Sequence, residues 1–436
     1  MEREFQLAFG QQIDQWISLH QEEIRELSDR IFQHPEAAEQ ERFACSLLCG
    51  YLREKGFTLE QPAGGMNTAF CARWDNGGPC IGFMAEYDAL PNSFQPVEET
   101  QHPASEKPGH VCGHHLIAVV CATAAAAVKE LAQKEHIPVS VTVFGCPAEE
   151  TMKGKVELAK AGAFSGLDAA LCWHPEDFNG AVAYRCNAIS IVHYRFEGIS
   201  AHASVAPYLG RSALDACELM NVGANYLREH IEPSCRFHYA YLDAPSVPNI
   251  VPPKAGLIYY IRGRDVSQVV NVRYRLRDVA EGAALMAGVR MQEEIVTTVP
   301  ETRPNLPLTH LADEILRQTQ LEAFTEEEIR FAHRLRENSG FQPVEEPLRA
   351  EVRRFGGQIE QRNGSSDVAA VSELIPTVML RNTCVPVGIP QHHWAFAASC
   401  GSSIGLRGAR NGIRVLAALT LSLADRPTLL ESVKNY

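Results

Sequence analysis

The sequence is short of positive charge. Against 53 Asp and Glu it sets only 40 Lys and Arg, a formal net charge of −13 over 436 residues. A surface of that sign repels phosphate backbones, which argues against nucleic acid as a partner. No run of about 20 uninterrupted apolar residues occurs, so no segment is expected to span a membrane. The opening Met1-Glu2-Arg3-Glu4 lacks the basic-then-apolar profile of an export signal and reads as the start of a polar helix. Cysteine is not scarce, but its 13 copies are odd in number and scattered without a framework spacing. They exclude a disulfide scaffold and read as reduced thiols in a cytoplasm. With 45% hydrophobic and 21% charged residues, disorder is excluded too, and the length suits two or three structural units. The chain holds no internal repeat and no low-complexity tract.

What is present alternates. Ile13, Trp16, Ile17, Ile24, Leu27 and Ile31 recur at helical spacing and predict one amphipathic helix ending near His34-Pro35. A second helix is expected over 41–55, stopped by Gly56. Strands are expected over 80–85, 139–144 and 169–173, with a buried alanine-rich helix over 117–132. Such alternation predicts an α/β domain with a central, mostly parallel sheet covered on both faces. From about Asn187 the pattern becomes strand 189–196, helix 212–229, strands 236–241 and 257–262, helix 266–287 and strand 289–296. That β-α-β-β-α-β order is the ferredoxin-like plan. The α/β pattern then returns, with a strand over 377–381 and a helix over 402–424. The expected division is therefore one domain built from 1–187 and 298–436, interrupted by an inserted α+β domain at 188–297. The acidic run Glu326-Glu327-Glu328 follows Thr325 and reads as a capping box opening a helix. The polar stretch 95–107 reads as a surface loop.

Chemistry gathers just beyond the expected parallel strands. Glu86-Tyr87-Asp88 follows the first, Glu149-Glu150 the second and His174 the third, while His392-His393-Trp394 lies beyond the last. Cys112-Gly113-His114-His115 opens the buried helix. Ligands of open α/β sheets bind outside the carboxyl ends of the strands, where these residues collect. A thiolate, imidazoles and carboxylates suit Zn²⁺ or Mn²⁺, and one of two adjacent glutamates can bind metal while its neighbour acts as a base. Singly, each piece has a plainer reading. Cys112-Gly113-His114 would be a buried thiol beside a helix cap, Glu149-Glu150 a solvated helix start, and His174 and His392 hydrogen-bonded histidines. Their joint placement favours a metallohydrolase.

The same residues carry a family resemblance. The chain resembles the M20 metallopeptidases, in particular their amidohydrolase branch, through nearly its whole length. The motifs include His34-Pro35-Glu36, Glu86-Tyr87-Asp88-Ala89-Leu90, Cys112-Gly113-His114, Pro147-Ala148-Glu149-Glu150 and Trp173-His174-Pro175-Glu176. They continue with Gly198-Ile199-Ser200-Ala201-His202-Ala203, the stretch 209–216, Pro248-Asn249 and Ser366-Asp367-Val368. The resemblance implies two divalent metal ions per subunit, Mn²⁺ ahead of Zn²⁺, held by Cys112, His114, Glu150, His174 and His392. It implies Glu149 as general base and Asp88 as the carboxylate that fixes a ligand. His202 would reach a neighbouring subunit's site, and Asn249 and Arg262 would hold the substrate or its carboxylate. The inserted domain would be a lid and dimerisation surface. His392 rather than His393 fits the family's spacing to Trp394. His115 departs from the Asp or Asn usual after Cys-Gly-His, leaving its partner open. The implied reaction is cleavage of an amide between an aromatic acyl group and an acidic amino acid, as in p-aminobenzoyl-glutamate or indole-3-acetyl-aspartate. Two rivals stand beside it: a dipeptidase for β-alanyl or other dipeptides, and a regulatory or partner subunit of a heteromeric hydrolase.

Overall fold

A seven-stranded sheet organises the larger part of the chain. In spatial order its strands are Thr58–Glu60, Phe70–Trp74, Ser140–Cys146, Cys80–Glu86, Ala169–Glu176, Thr377–Thr383 and Gly180–Val182. The four from Ser140–Cys146 to Thr377–Thr383 run parallel, and the remaining strands join them antiparallel at the two edges. Every residue of Ser140–Cys146 and Thr377–Thr383 is buried, as expected for parallel strands covered on both faces. The computed structural model that shows this describes the backbone of residues 2–436 and the side chains from Phe9 onward.

The helix His114–Lys134 is buried continuously from His114 through Val128 and packs on the strand Cys80–Glu86 and the helix Ser403–Asp425. Its run of alanines permits that close approach. By length and composition alone it is the one described helix that could cross a bilayer, but 89% of its most apolar stretch lies inside the fold. Its apolarity is thus explained by the core.

One expectation about helices needs correction. The apolar period from Ile13 to Ile31 belongs to two helices, Glu2–Leu19 and Gln21–Gln33. The chain turns at His20, whose ring stacks on Trp16 at 4.0 Å and whose Nδ1 donates to the Trp16 carbonyl at 2.8 Å. Both helices bury their apolar faces in the same core, so the periodicity runs across the break unmarked. Near the C-terminus, a short helix Trp394–Cys400 precedes the helix Ser403–Asp425. The capping box is present: Glu328 N–H donates to Thr325 Oγ1 at 3.2 Å, and Thr325 N–H to Glu328 Oε2 at 2.8 Å.

The chain divides into two compact units. The second comprises 185–302 together with 361–369. Its antiparallel sheet has the order Arg290–Val299, Ala188–Glu197, Lys254–Gly263, Arg236–Asp243, with helices Ala213–Leu227 and Val266–Ala287 packed on it. Numbered along the chain that order is 4-1-3-2, the ferredoxin-like arrangement. The sequence pattern assigns 361–369 to the first unit, and the structure corrects this. These residues side with the second because Arg362 N–H donates to the Arg185 carbonyl and Asn187 N–H to that of Gly364, each at 2.9 Å. Backbone pairing of that kind leaves no trace in hydropathy.

Close packing behind the sheet carries a testable cost. A Cβ at Gly412 would lie 2.4 Å from Nε1 of Trp173, which is buried and donates to Asn382 Oδ1 at 2.8 Å. Gly412→Ala is expected to destabilise by about 1–3 kcal/mol, read as a lower midpoint in thermal or urea unfolding. Gly282→Ala, where no atom lies within 4 Å, is expected to hold or raise the midpoint.

Candidate active site

Asp88 stands two residues past the strand Cys80–Glu86, fully buried, and joins three elements. His114 Nδ1 donates to its Oδ1 at 2.8 Å, and the Glu150 backbone N–H donates to its Oδ2 at 3.0 Å. The strand end, the start of the helix His114–Lys134 and the loop after Ser140–Cys146 thus meet on one carboxylate. Holding Nδ1 turns the other ring nitrogen of His114 outward. His174 is set the same way, its Nδ1 donating to the Pro175 carbonyl at 2.7 Å while its Nε2 lies 3.4 Å from Cys112 Sγ. A ring N–H held by a carboxylate or a carbonyl is the usual support of a metal-binding imidazole.

Three overlapping groups of donor atoms form here, each with all atoms within 4.8 Å of one another: Cys112, His114 and His174; Cys112, Glu150 and His392; His114, Glu149 and Glu150. Cys112 belongs to the first two, so the cluster has the form of two adjacent three-donor sets sharing a sulfur. This mixed thiol, imidazole and carboxylate set can hold divalent cations. One buried atom points the same way. Glu150 Oε1 is enclosed without a hydrogen bond, its 3.1 Å approach to His392 Nε2 being an ion-pair distance without hydrogen-bond alignment.

Electrostatics agree. The adjoining Cys112 and Glu150 side chains push the His392 imidazole up to about 10. Burial lowers the proton affinity of His114, but the neighbouring Cys112 and Asp88 outweigh it and raise the ring well above its ordinary value. Asp88 is correspondingly held below the usual carboxylate range, burial being overcome by His114. A site in which imidazoles cling to protons is one crowded with anionic donors.

The backbone is strained where it presents these groups. Ala148, just before Glu149, has φ +56°, and His392 has φ +67°, both uncommon for residues other than glycine. Three contacts hold these turns. The Ala148 N–H donates to Glu41 Oε1 at 2.9 Å, Thr68 Oγ1 donates to Glu41 Oε2 at 3.0 Å, and the His392 N–H donates to the Val111 carbonyl at 2.9 Å. Glu41, buried behind the Glu149 loop, has its carboxyl pushed up to about 7 by burial. Neither Glu41 nor Lys155, which is buried against Glu86 at 2.7 Å, stands out from the sequence pattern. A lysine in the first turn of a helix, against the dipole, is the available sign of the second.

Other residues resolve differently. His393 caps the helix Trp394–Cys400 through its Nδ1, which accepts from Ala395 N–H at 3.2 Å, and it joins no donor group among the described residues. His115 points away from the donors: its Nε2 donates to the Cys400 carbonyl at 3.3 Å and its ring packs against Phe32 and His110. His202, Asn249 and Arg262 belong to the second unit. There the segments of His202 and Asn249 pair, with Ala203 N–H donating to the Asn249 carbonyl at 3.0 Å, and both side chains are exposed. Arg262 sits half-buried on the strand Lys254–Gly263, its guanidinium 5.7 Å from the Tyr260 ring centre, and burial lowers its pKa.

Known proteins resemble this chain over most of its length. A p-aminobenzoyl-glutamate hydrolase subunit of Escherichia coli (strain K12) is 32% identical over 97% of this chain and 93% of its own. The Xaa-Arg dipeptidase of Homo sapiens is 32% identical over 62% of each chain. The crystal structure of an aminobenzoyl-glutamate utilization protein from Klebsiella pneumoniae shares the fold, with a TM-score of 0.67 at 16% identity over 94% of this chain and 98% of that one. The model of peptidase family M20/M25/M40 matches residues 82–419, and the chain is a hydrolase of that family.

Proposed function

We propose that this chain is a metal-dependent amidohydrolase that cleaves the amide between an aromatic acyl group and an acidic amino acid. The observation that carries the reading is the pair of donor sets sharing Cys112, with Glu149 beside them. Cys112, His114, Glu150, His174 and His392 would hold two divalent ions, Mn²⁺ ahead of Zn²⁺, and Asp88 would keep His114 in register. Such ions lower the pKa of an attacking water toward neutrality and polarise a carbonyl. Glu149 takes the water's proton as its oxygen adds to the amide carbon, then passes a proton to the departing nitrogen as the C–N bond breaks. The products are the aromatic acid and the free amino acid.

In the inserted unit, Arg262 suits a substrate carboxylate, because a guanidinium can bind both oxygens at once. Asn249 would orient the substrate, and His202 would act at the site of a second copy in a homodimer. Thirteen free thiols suit a reducing cytoplasm. Between the two substrates considered, likeness over nearly the full length to a p-aminobenzoyl-glutamate hydrolase subunit favours that conjugate over indole-3-acetyl-aspartate. The likeness to a dipeptidase supports a second reading, hydrolysis of dipeptides. That the first relative is one subunit of its enzyme raises a third, dependence on a related partner chain.

Two measurements test this. The lone purified chain, assayed with Mn²⁺, Zn²⁺ or EDTA, is expected to hydrolyse p-aminobenzoyl-glutamate faster than its neutral analogues, indole-3-acetyl-aspartate or β-alanyl dipeptides, and to lose activity with EDTA. Faster turnover of dipeptides would replace the substrate reading. Metal uptake without turnover of any amide would point to the partner-subunit reading. Separately, Glu149→Gln is expected to retain its metal by elemental analysis while kcat falls by about 10²–10⁴-fold. Normal turnover in that variant would remove Glu149 as the base.

A further inference from the structure

Lys155 is a wholly buried cation that the proposed mechanism leaves unused. Its side chain is wholly enclosed, and it sits in the first turn of the helix Gly154–Lys160, five residues past Glu150. An ammonium there is opposed by both desolvation and the helix dipole, so its presence needs a specific partner. One partner is Glu86, the last residue of the strand Cys80–Glu86, whose Oε1 lies 2.7 Å from Lys155 Nζ. The other oxygen of Glu86 lies 3.6 Å from Nε2 of His114, the nitrogen that Asp88 turns toward the donor cluster. Glu86 is thus within reach of any cation that His114 binds.

We propose that Lys155 is a positioning residue that neutralises Glu86 and so keeps that carboxylate from becoming an additional metal ligand. The inference rests on the metal reading above. Glu86 stands among the anionic donors Asp88, Glu149 and Glu150, and Lys155 is a cation held against it. Without Lys155, Glu86 loses an ion-pair partner while already lying near any cation that His114 binds. A further carboxylate ligand would tighten metal binding while occupying the open position that water or substrate needs. The ion pair also fastens the chain leaving the Glu149–Glu150 loop to the strand that leads to Asp88.

The test uses the full-length chain loaded with Co²⁺ or Mn²⁺. In Lys155→Met the visible absorption of bound Co²⁺ is expected to weaken, as it does when a ligand is added, and metal affinity by chelator competition to hold or rise. The kcat should fall about tenfold or more with little change in KM. The double variant Glu86→Gln/Lys155→Met should restore both the spectrum and kcat. A merely structural lysine predicts otherwise: affinity and thermal midpoint falling together, the Co²⁺ spectrum unaltered, and no rescue in the double variant. That result would overturn the proposal. Should Lys155→Met not fold, Glu86→Gln alone decides. An unchanged Co²⁺ spectrum supports the proposal, whereas an altered one makes Glu86 a ligand in the native protein and sinks it. Wild-type chain that takes up no Co²⁺ would instead remove the metal reading itself, and this inference with it.

Discussion

The arrangement of the donor cluster depends on one carboxylate. Asp88 accepts from a side chain on the helix His114–Lys134 and from the backbone of the loop after Ser140–Cys146, while standing at the end of the strand between them. A buried carboxylate is costly unless its oxygens are hydrogen-bonded, and here both are. Cys112 and the charge of Asp88 together raise His114 above its ordinary proton affinity, and the position of Asp88 brings Glu150 to the same place as Cys112. Loss of Asp88 would therefore detach a loop and a helix start from one another as well as release an imidazole.

The region around that carboxylate is kept narrow by contacts that tolerate little added volume. Gly113 has φ +77°, and a Cβ there would lie 2.7 Å from the Pro175 ring and 3.1 Å from Cys400 Sγ. Glycine meets both demands. It lets the chain reverse between Cys112 and His114 so that both side chains face His174. Glu36, in the motif His34-Pro35-Glu36, has a comparable supporting task. Its carboxylate accepts from the Phe43 and Ala44 N–H groups at the start of the helix Arg42–Glu54, and its carbonyl accepts from Ala89 N–H at 2.8 Å. That bond ties the N-terminal helices to the residue following Asp88. Much of what surrounds the candidate site is framework of this kind, with no direct part in the chemistry.

This explains which features are legible in the sequence. Strands such as Cys80–Glu86 and Ser140–Cys146 are short apolar runs followed at once by Asp88 or Glu149-Glu150, so one stretch of sequence reveals both the element and its cargo. The capping box at Thr325 and Glu328 is local and equally legible. Glu41 and Lys155 are hidden because their roles arise from burial against residues distant in the chain. On its own, each reads as a surface charge at an element's end. The break at His20 is invisible for the opposite reason, since the hydrophobic pattern reports the shared core and not the turn. The pairing of 361–369 with 185–187 is made by backbone groups, which carry no side-chain signature.

Two adjacent histidines show most directly how environment assigns roles that composition cannot. His114 and His115 are both fully buried at the start of one helix, and burial alone drives any imidazole toward its neutral form. His114 meets Asp88 and Cys112, and those neighbours reverse the effect of burial. His115, about a hundred degrees further round the helix, meets a carbonyl, the Phe32 ring and His110, and burial followed by His110 holds its proton affinity well below the ordinary value. A ring in that setting cannot stand beside a second positive charge without a counter-ion. His115 instead bridges to Cys400, at the end of the short helix that His392 and His393 lead into, while His392 N–H grips Val111 from the other side. The ring that faces away from the donors thereby helps fix the distance between Cys112 and His392, the two residues on which the shared-sulfur arrangement rests.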